Sequence, residues 1–202
     1  MLMDTGSSNS LGSDFQKLHD INSALGSKDR YTQGHARRVA LYSIRLARRM
    51  GLSAADAANI GIGGLLHDIG KLGLSDRIFS NRTTRLYGDM LSEVRRHPDM
   101  GVALLKGIHG LAPVLDFVHL HHERLDGSGY PYGLKADEIP LGARIIAVAD
   151  CFDAMTTDRP YQKGKSLGEA FGILRQMGGQ ELSKKLVDAF IEDIEENGII
   201  DE

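Results

Sequence analysis

The chain has 202 residues and 42% hydrophobic content, enough for one well-filled domain. A net charge of -3 argues against a broad basic face for long nucleic acid, but leaves room for a local cationic pocket that takes a small phosphorylated ligand. A single cysteine, Cys151, excludes an internal disulfide and a thiolate zinc cluster.

Residues 1–13 are Gly/Ser-rich, with neither a basic n-region nor an apolar h-region, and read as a disordered tail or appended remnant. Phe15, Leu18, Ile21 and Leu25 recur at helical spacing and predict a connector helix over 14–27. Thr32 is expected to cap a helix through Met50, with Val39, Ala40, Ile44, Ala47 and Met50 on one face. Arg37, Arg38, Arg45, Arg48 and Arg49 read as its solvated side. Gly51 ends that helix, and Ser53 opens another that leads through Ile60 and Leu66 into His67-Asp68. Gly61, Gly63 and Gly64 lower helix propensity there and are read as points where another helix approaches closely.

Residues 72–82 read as an irregular loop. Helices are expected over 84–96, from His97-Pro98 to Ile108, and over 112–124, the last carrying His119, His121 and His122. The Gly-, Pro- and Tyr-rich stretch 125–140 is non-helical. Residues 142–153 are apolar and β-branched enough for a strand, but their helical surroundings favour a buried helix. Helices over 166–177 and 181–196 close an all-α domain spanning 28–198, with no internal repeat. No apolar run reaches the roughly 18 residues that span a bilayer, and the absence of disulfides fits a reducing compartment, so a cytoplasmic protein is expected.

The chemistry gathers around Leu65 to Lys71. Adjacent helical side chains diverge by about 100°, so His67 and Asp68 would chelate one ion poorly, yet could flank a pair of ions with the carboxylate bridging. Lys71 lies one turn on. An isolated histidine is most often a core or surface residue, but His35, His67, His97, His121 and His122, with Asp68 and Asp150, form a larger set at helix ends. Seven such groups exceed the three or four ligands one ion takes from protein. Imidazole and carboxylate without thiolate suit iron, manganese or nickel, with magnesium or zinc as further candidates.

HDIGK at 67–71, His97-Pro98, HHERLDGSGYP at 121–131, IPLGARIIAVAD at 139–150 and FDAMTTDRPY at 152–161 resemble the HD-GYP family of metal-dependent phosphohydrolases. The resemblance implies an HD-type helical bundle with a GYP-containing loop. It implies two divalent metal ions held by His35, His67, Asp68, His97, His121, His122 and Asp150, with Asp68 bridging. It also implies hydrolysis of cyclic di-GMP to pGpG, and in some members GMP, by a metal-bridging hydroxide attacking in line. Asp68 and Lys71 are then the catalytic candidates, Lys71 stabilising phosphoryl charge unless it merely pairs with an acid. Tyr130, Arg159, Lys71 and Lys163 are the substrate-binding candidates. Glu123 and Asp126 are expected to orient the imidazoles of His121 and His122.

Three departures from the family pattern stand out. Tyr31 occupies the position where some members carry a third-metal Glu, Gln162 follows RPY where Arg or Lys is usual, and 75–86 lacks the usual Pro-Gly segment. Two further readings therefore stay open: a cyclic di-GMP sensor or module docking on GGDEF-domain proteins, and a hydrolase of another cyclic dinucleotide such as cyclic GMP-AMP. A homodimer is compatible with the sequence; DNA and membrane partners are not expected.

Overall fold

A computed structural model describes residues 30–79, 87–158 and 163–200. Among them the chain forms nine α-helices, two 3₁₀ turns and two isolated β-bridges, with no sheet. The connector helix and tail, Arg159, Gln162 and the side chain of Tyr31 lie outside the described residues.

Helix α1 (Arg30–Arg49) buries Ala36, Val39, Tyr42, Leu46 and Ala47 on one stripe. It starts before Thr32, which is buried in the first turn instead of capping it. Nor is the arginine run one solvated face. Arg38 is buried against Asp153, while Arg45 and Arg49 pair with Asp193, Glu192 and Glu196. Only Arg37 and Arg48 of that run are exposed. Arginine's long apolar stem lets it cover core while its head meets an acid.

Helix α2 (Ala54–Leu66) is capped by Ser53, whose hydroxyl accepts the Asp56 N–H at 3.1 Å. A Cβ on Gly61 would lie 2.5 Å from Ile44, and one on Gly64 would lie 3.0 Å from the Ala40 backbone. These glycines let α1 press against α2, as expected. A 3₁₀ turn (Ile69–Gly73) follows, then the short α3 (Asp76–Phe79), where the sequence suggested only irregular chain.

Helix α4 (Gly88–Val94) is shorter than expected, because Pro98 cannot continue a helix and a turn at Arg95-Arg96 precedes α5 (His97–Leu105). Helix α6 (Ala112–Leu120) stops four residues early, leaving His121 as its C-cap and His122 in the following turn. The loop 121–140 contains the second 3₁₀ turn (Ala136–Glu138) and a cis Tyr130-Pro131 bond.

Helix α7 (Leu141–Thr156) is the buried central helix, with Ala143, Ile145, Ile146, Ala147, Val148, Ala149 and Phe152 all enclosed. Burial of each large apolar side chain contributes about 1.5–3 kcal/mol. Helices α8 (Leu167–Met177) and α9 (Lys184–Asn197) complete the main core through Leu174, Val187 and Phe190. A second cluster joins Leu66, Ile69, Leu105, Val114 and Val118. The candidate ligands follow members of these clusters directly in sequence: His67 after Leu66, Asp150 after Ala149. No helix of the described residues is long and apolar enough to cross a membrane.

Candidate metal centre

The last carbonyls of a helix have no partner within it. Three histidines use them. His67 Nδ1–H donates to Gly64 O at 2.7 Å, and His121 Nδ1–H to Val118 O at 2.8 Å. His97 Nδ1–H donates to Val94 O, the last residue of α4, at 2.7 Å. Each acceptor lies three residues back, and a carbonyl can only accept. The proton is therefore on Nδ1, and the Nε2 lone pair points the other way.

His35 is held differently. Its Nδ1–H donates to Asp153 Oδ2 at 2.7 Å, and Asp153 also takes Arg38 Nε at 2.7 Å and Nη2 at 3.1 Å. Asp153 and Arg38 are supports of the His35 ring that sequence reasoning missed. The available signal was spacing: Arg38 lies three residues after His35, and Asp153 three after Asp150, each on the same helix face.

The seven predicted residues come together. His35, His67 and Asp150 form one set, and Asp68, His97, His121 and His122 form another, with the donor atoms of each set within 4.8 Å of one another. Asp68 faces both: its Oδ1 is 3.4 Å from His97 Nε2, and its Oδ2 is 3.4 Å from His67 Nε2 and 3.9 Å from His35 Nε2. His35 Nε2 lies 3.2 Å from Asp150 Oδ1. Ligands on bonds of about 2.1 Å are separated by about 3.0–3.4 Å, so these spacings suit a shared cation.

Two further observations support that fit. His67 Nε2 is buried without a hydrogen-bond partner. His97 Nε2 and His121 Nε2 meet at 3.4 Å although both Nδ1 atoms already carry the proton. Two lone pairs beside a carboxylate repel unless a positive centre lies between them.

Lys71 Nζ donates to Asp68 Oδ2, so the lysine pairs with the shared carboxylate. Tyr130 stacks on His122, with ring centroids 4.6 Å apart and planes 27° apart. Lys163 is exposed at the start of the segment leading to α8.

Glu123 and Asp126 do not orient the imidazoles. The buried Glu123 carboxylate accepts the N–H groups of Tyr132, Gly133 and Leu134 at 2.7, 3.2 and 2.9 Å, pinning the loop to the end of α6. Asp126 is exposed and accepts from Ser128 N and Oγ. Helix-end carbonyls satisfy His67, His97 and His121, which leaves these acids for loop amides. Gly129 tightens the same junction, since a Cβ there would sit 2.4 Å from the Glu123 backbone.

Comparison with known proteins agrees with this geometry. The model of the HD domain family matches residues 21–186. A Thermotoga maritima protein named cyclic di-GMP phosphodiesterase is 38% identical over 181 residues, covering 88% of this chain and 48% of the relative. The chain belongs to the HD-GYP family.

A Vibrio cholerae protein named 3'3'-cGAMP-specific phosphodiesterase 3 is 37% identical over 152 residues, 75% of this chain and 33% of that one. The structure of an HDG"Y"P protein from Bdellovibrio bacteriovorus shares the fold, with a TM-score of 0.66 at 20% identity over 81% of this chain and 52% of that chain. This HD-GYP chain thus spans about half the length of the Thermotoga relative and a third of the Vibrio one.

The electrostatics of the HD-GYP cluster divide in the same way as its hydrogen bonds. Burial lowers His97 to about 4 and His122 to about 3, and holds His121 well below the usual histidine range. Burial would raise Asp68, but Lys71, His67 and His97 outweigh it and keep the carboxyl well below its ordinary value. Asp150 is likewise depressed, burial being overcome chiefly by the His35 hydrogen bond. For His35, burial is opposed by hydrogen bonds to Asp150 and Asp153, which push it up to about 9. Neutral imidazoles and ionised carboxylates are the forms that bind metal.

Proposed function

We propose that this domain is a metal-dependent phosphodiesterase of cyclic dinucleotides, with cyclic di-GMP as the first candidate substrate. The observation that carries the reading is the division of seven donors into two adjoining sets, with Asp68 turning one oxygen toward each. His35, His67 and Asp150 would hold one divalent cation, and His97, His121 and His122 a second, with Asp68 serving both. Iron or manganese suits the donor set best, ahead of nickel, magnesium or zinc. Bound there, two divalent cations would supply an activated water and polarise a phosphodiester oxygen.

The chain's own residues do the rest. Lys71 keeps the Asp68 carboxylate ionised, and its ammonium would donate to a phosphoryl oxygen as charge builds. The loop anchored by Glu123 holds Tyr130 flat on His122, offering a rim on which a base can rest. Arg159 and Lys163 are the further candidates for substrate phosphates.

A second substrate has specific support: a relative at 37% identity is named for 3'3'-cGAMP, and Gln162 stands where the family usually carries Arg or Lys. The same site would then cleave the mixed dinucleotide. The test is metal analysis of anaerobically purified protein, with product chromatography after adding cyclic di-GMP and 3'3'-cGAMP in competition. About two iron or manganese ions per chain and a linear dinucleotide product, both lost in Asp68→Ala, are expected. A metal-filled protein that leaves both substrates intact would sink the proposal in favour of a sensor.

A further inference from the structure

Arg95 stands in the turn between α4 and α5, its N–H donating to Leu91 O at 3.0 Å. The preceding residue, Val94, supplies the carbonyl that orients His97. Arg95 is therefore mounted on the same turn as a candidate ligand, yet its side chain is exposed. Its guanidinium carbon lies 5.4 Å from the centroid of the Tyr130 ring. That ring stacks on His122 and meets His97 edge-on at 6.5 Å. Guanidinium, phenol and imidazole thus step outward from the second donor set.

Two other arginines beside the centre are held by the protein itself. Arg38 binds Asp153, and Arg124 donates to His121 O and Glu123 O. Among the described residues no carboxylate pairs with Arg95. A guanidinium that meets a ring through its face keeps its N–H edges for an anion, and its planar fork matches a phosphate. A cyclic dinucleotide carries two phosphodiesters, and the metal centre can take only one at a time. The second stays fully anionic and needs a cation beyond the centre.

We propose that Arg95, with Tyr130 as its platform, binds the phosphodiester that is not at the metals. This rests on the cyclic dinucleotide reading above. It also supplies a cationic contact in a chain that carries Gln162 where its family has Arg or Lys.

The experiment compares wild type, Arg95→Ala and Arg95→Lys, metal-loaded, by calorimetric binding and steady-state turnover of cyclic di-GMP. Loss of one charge-assisted contact should weaken binding about tenfold and raise KM in step, with kcat within about twofold. Arg95→Lys should recover part of the loss, because the charge remains without the fork. Unchanged affinity, or a fall in kcat or bound metal at constant KM, would overturn the contact alone and leave Arg95 as a prop for Tyr130. Wild type that cleaves bis(p-nitrophenyl) phosphate but neither binds nor cleaves cyclic di-GMP would overturn substrate and contact together.

Discussion

The imidazoles of the donor cluster are held by two different means. His97 and His121, like His67, lean on main-chain carbonyls at helix ends, whereas His35 leans on the carboxylate of Asp153, itself clamped by Arg38. A carbonyl fixes the tautomer and adds little basicity, so burial dominates and His97 falls to about 4. At His35 the Asp153 carboxylate fixes the same tautomer, and against the burial that would lower it, hydrogen bonds to Asp150 first and Asp153 second push the ring up to about 9. One half of the cluster should therefore be ready for a cation at neutral pH, and the other should compete with a proton.

The sharpest test of that division removes the residue common to both halves. Asp68→Ala should empty both sets and lower turnover by on the order of a thousandfold, whereas Asp150→Ala should release only the cation beside His35. Metal counting on the two variants decides it; equal losses would mean that the sets are not separable.

Next in size is the carboxylate support. Asp153→Asn keeps the shape and removes the charge, and should weaken metal binding about 10- to 100-fold, confined to the first set. Titration with manganese, followed by paramagnetic resonance, would resolve the two affinities. A loss spread over both sets would contradict a local role.

The pH dependence follows with a definite sign. A cation at the first set must displace the His35 proton, so its affinity should fall by up to about tenfold per unit as pH drops below about 9. At the second set His97 and His122 are already neutral, so affinity should stay nearly flat from pH 8 to 6. In chelator-treated protein the halves act in opposite senses. The depressed His97 and His122 contribute stability above the unfolded histidine value, and it is lost as pH falls from about 6.5 to 4. The raised His35 contributes below about 6.5, and its share is lost as pH rises to about 9. Urea midpoints across that range should therefore peak in between; a monotonic profile would refute the opposition.

The smallest effect concerns the loop. Glu123→Gln leaves the cluster untouched but swaps a buried acceptor of three N–H groups for a weaker one, costing about 1–3 kcal/mol of stability. Bound metal should persist while KM for the dinucleotide rises. Loss of metal would show that Glu123 supports the imidazoles after all.

Much of this was legible in the residues. Apolar periodicity located most of the long helices, the helical surroundings decided α7, Ser53 marked the α2 cap, and the seven candidate donor residues could be picked out one by one. The misreadings share a cause. Helix α6 carries helical-looking residues to Arg124, but His121 turns its ring back to Val118 O and the helix stops. Arg38 looked like surface because the acid that buries it, Asp153, is 115 residues away. Glu123 looked like an imidazole partner because it follows His122, yet its carboxylate turns to the loop.

By itself the sequence determined the all-α class, the order of the long helices and the identity of the candidate donors, because side-chain chemistry and helical periodicity are local properties. Only the tertiary structure decided how those donors divide, which oxygen of Asp68 faces which imidazole, and whether a carbonyl or a carboxylate holds each ring. Those depend on the angles at which helix ends meet, and such angles are set by packing between residues far apart in the chain.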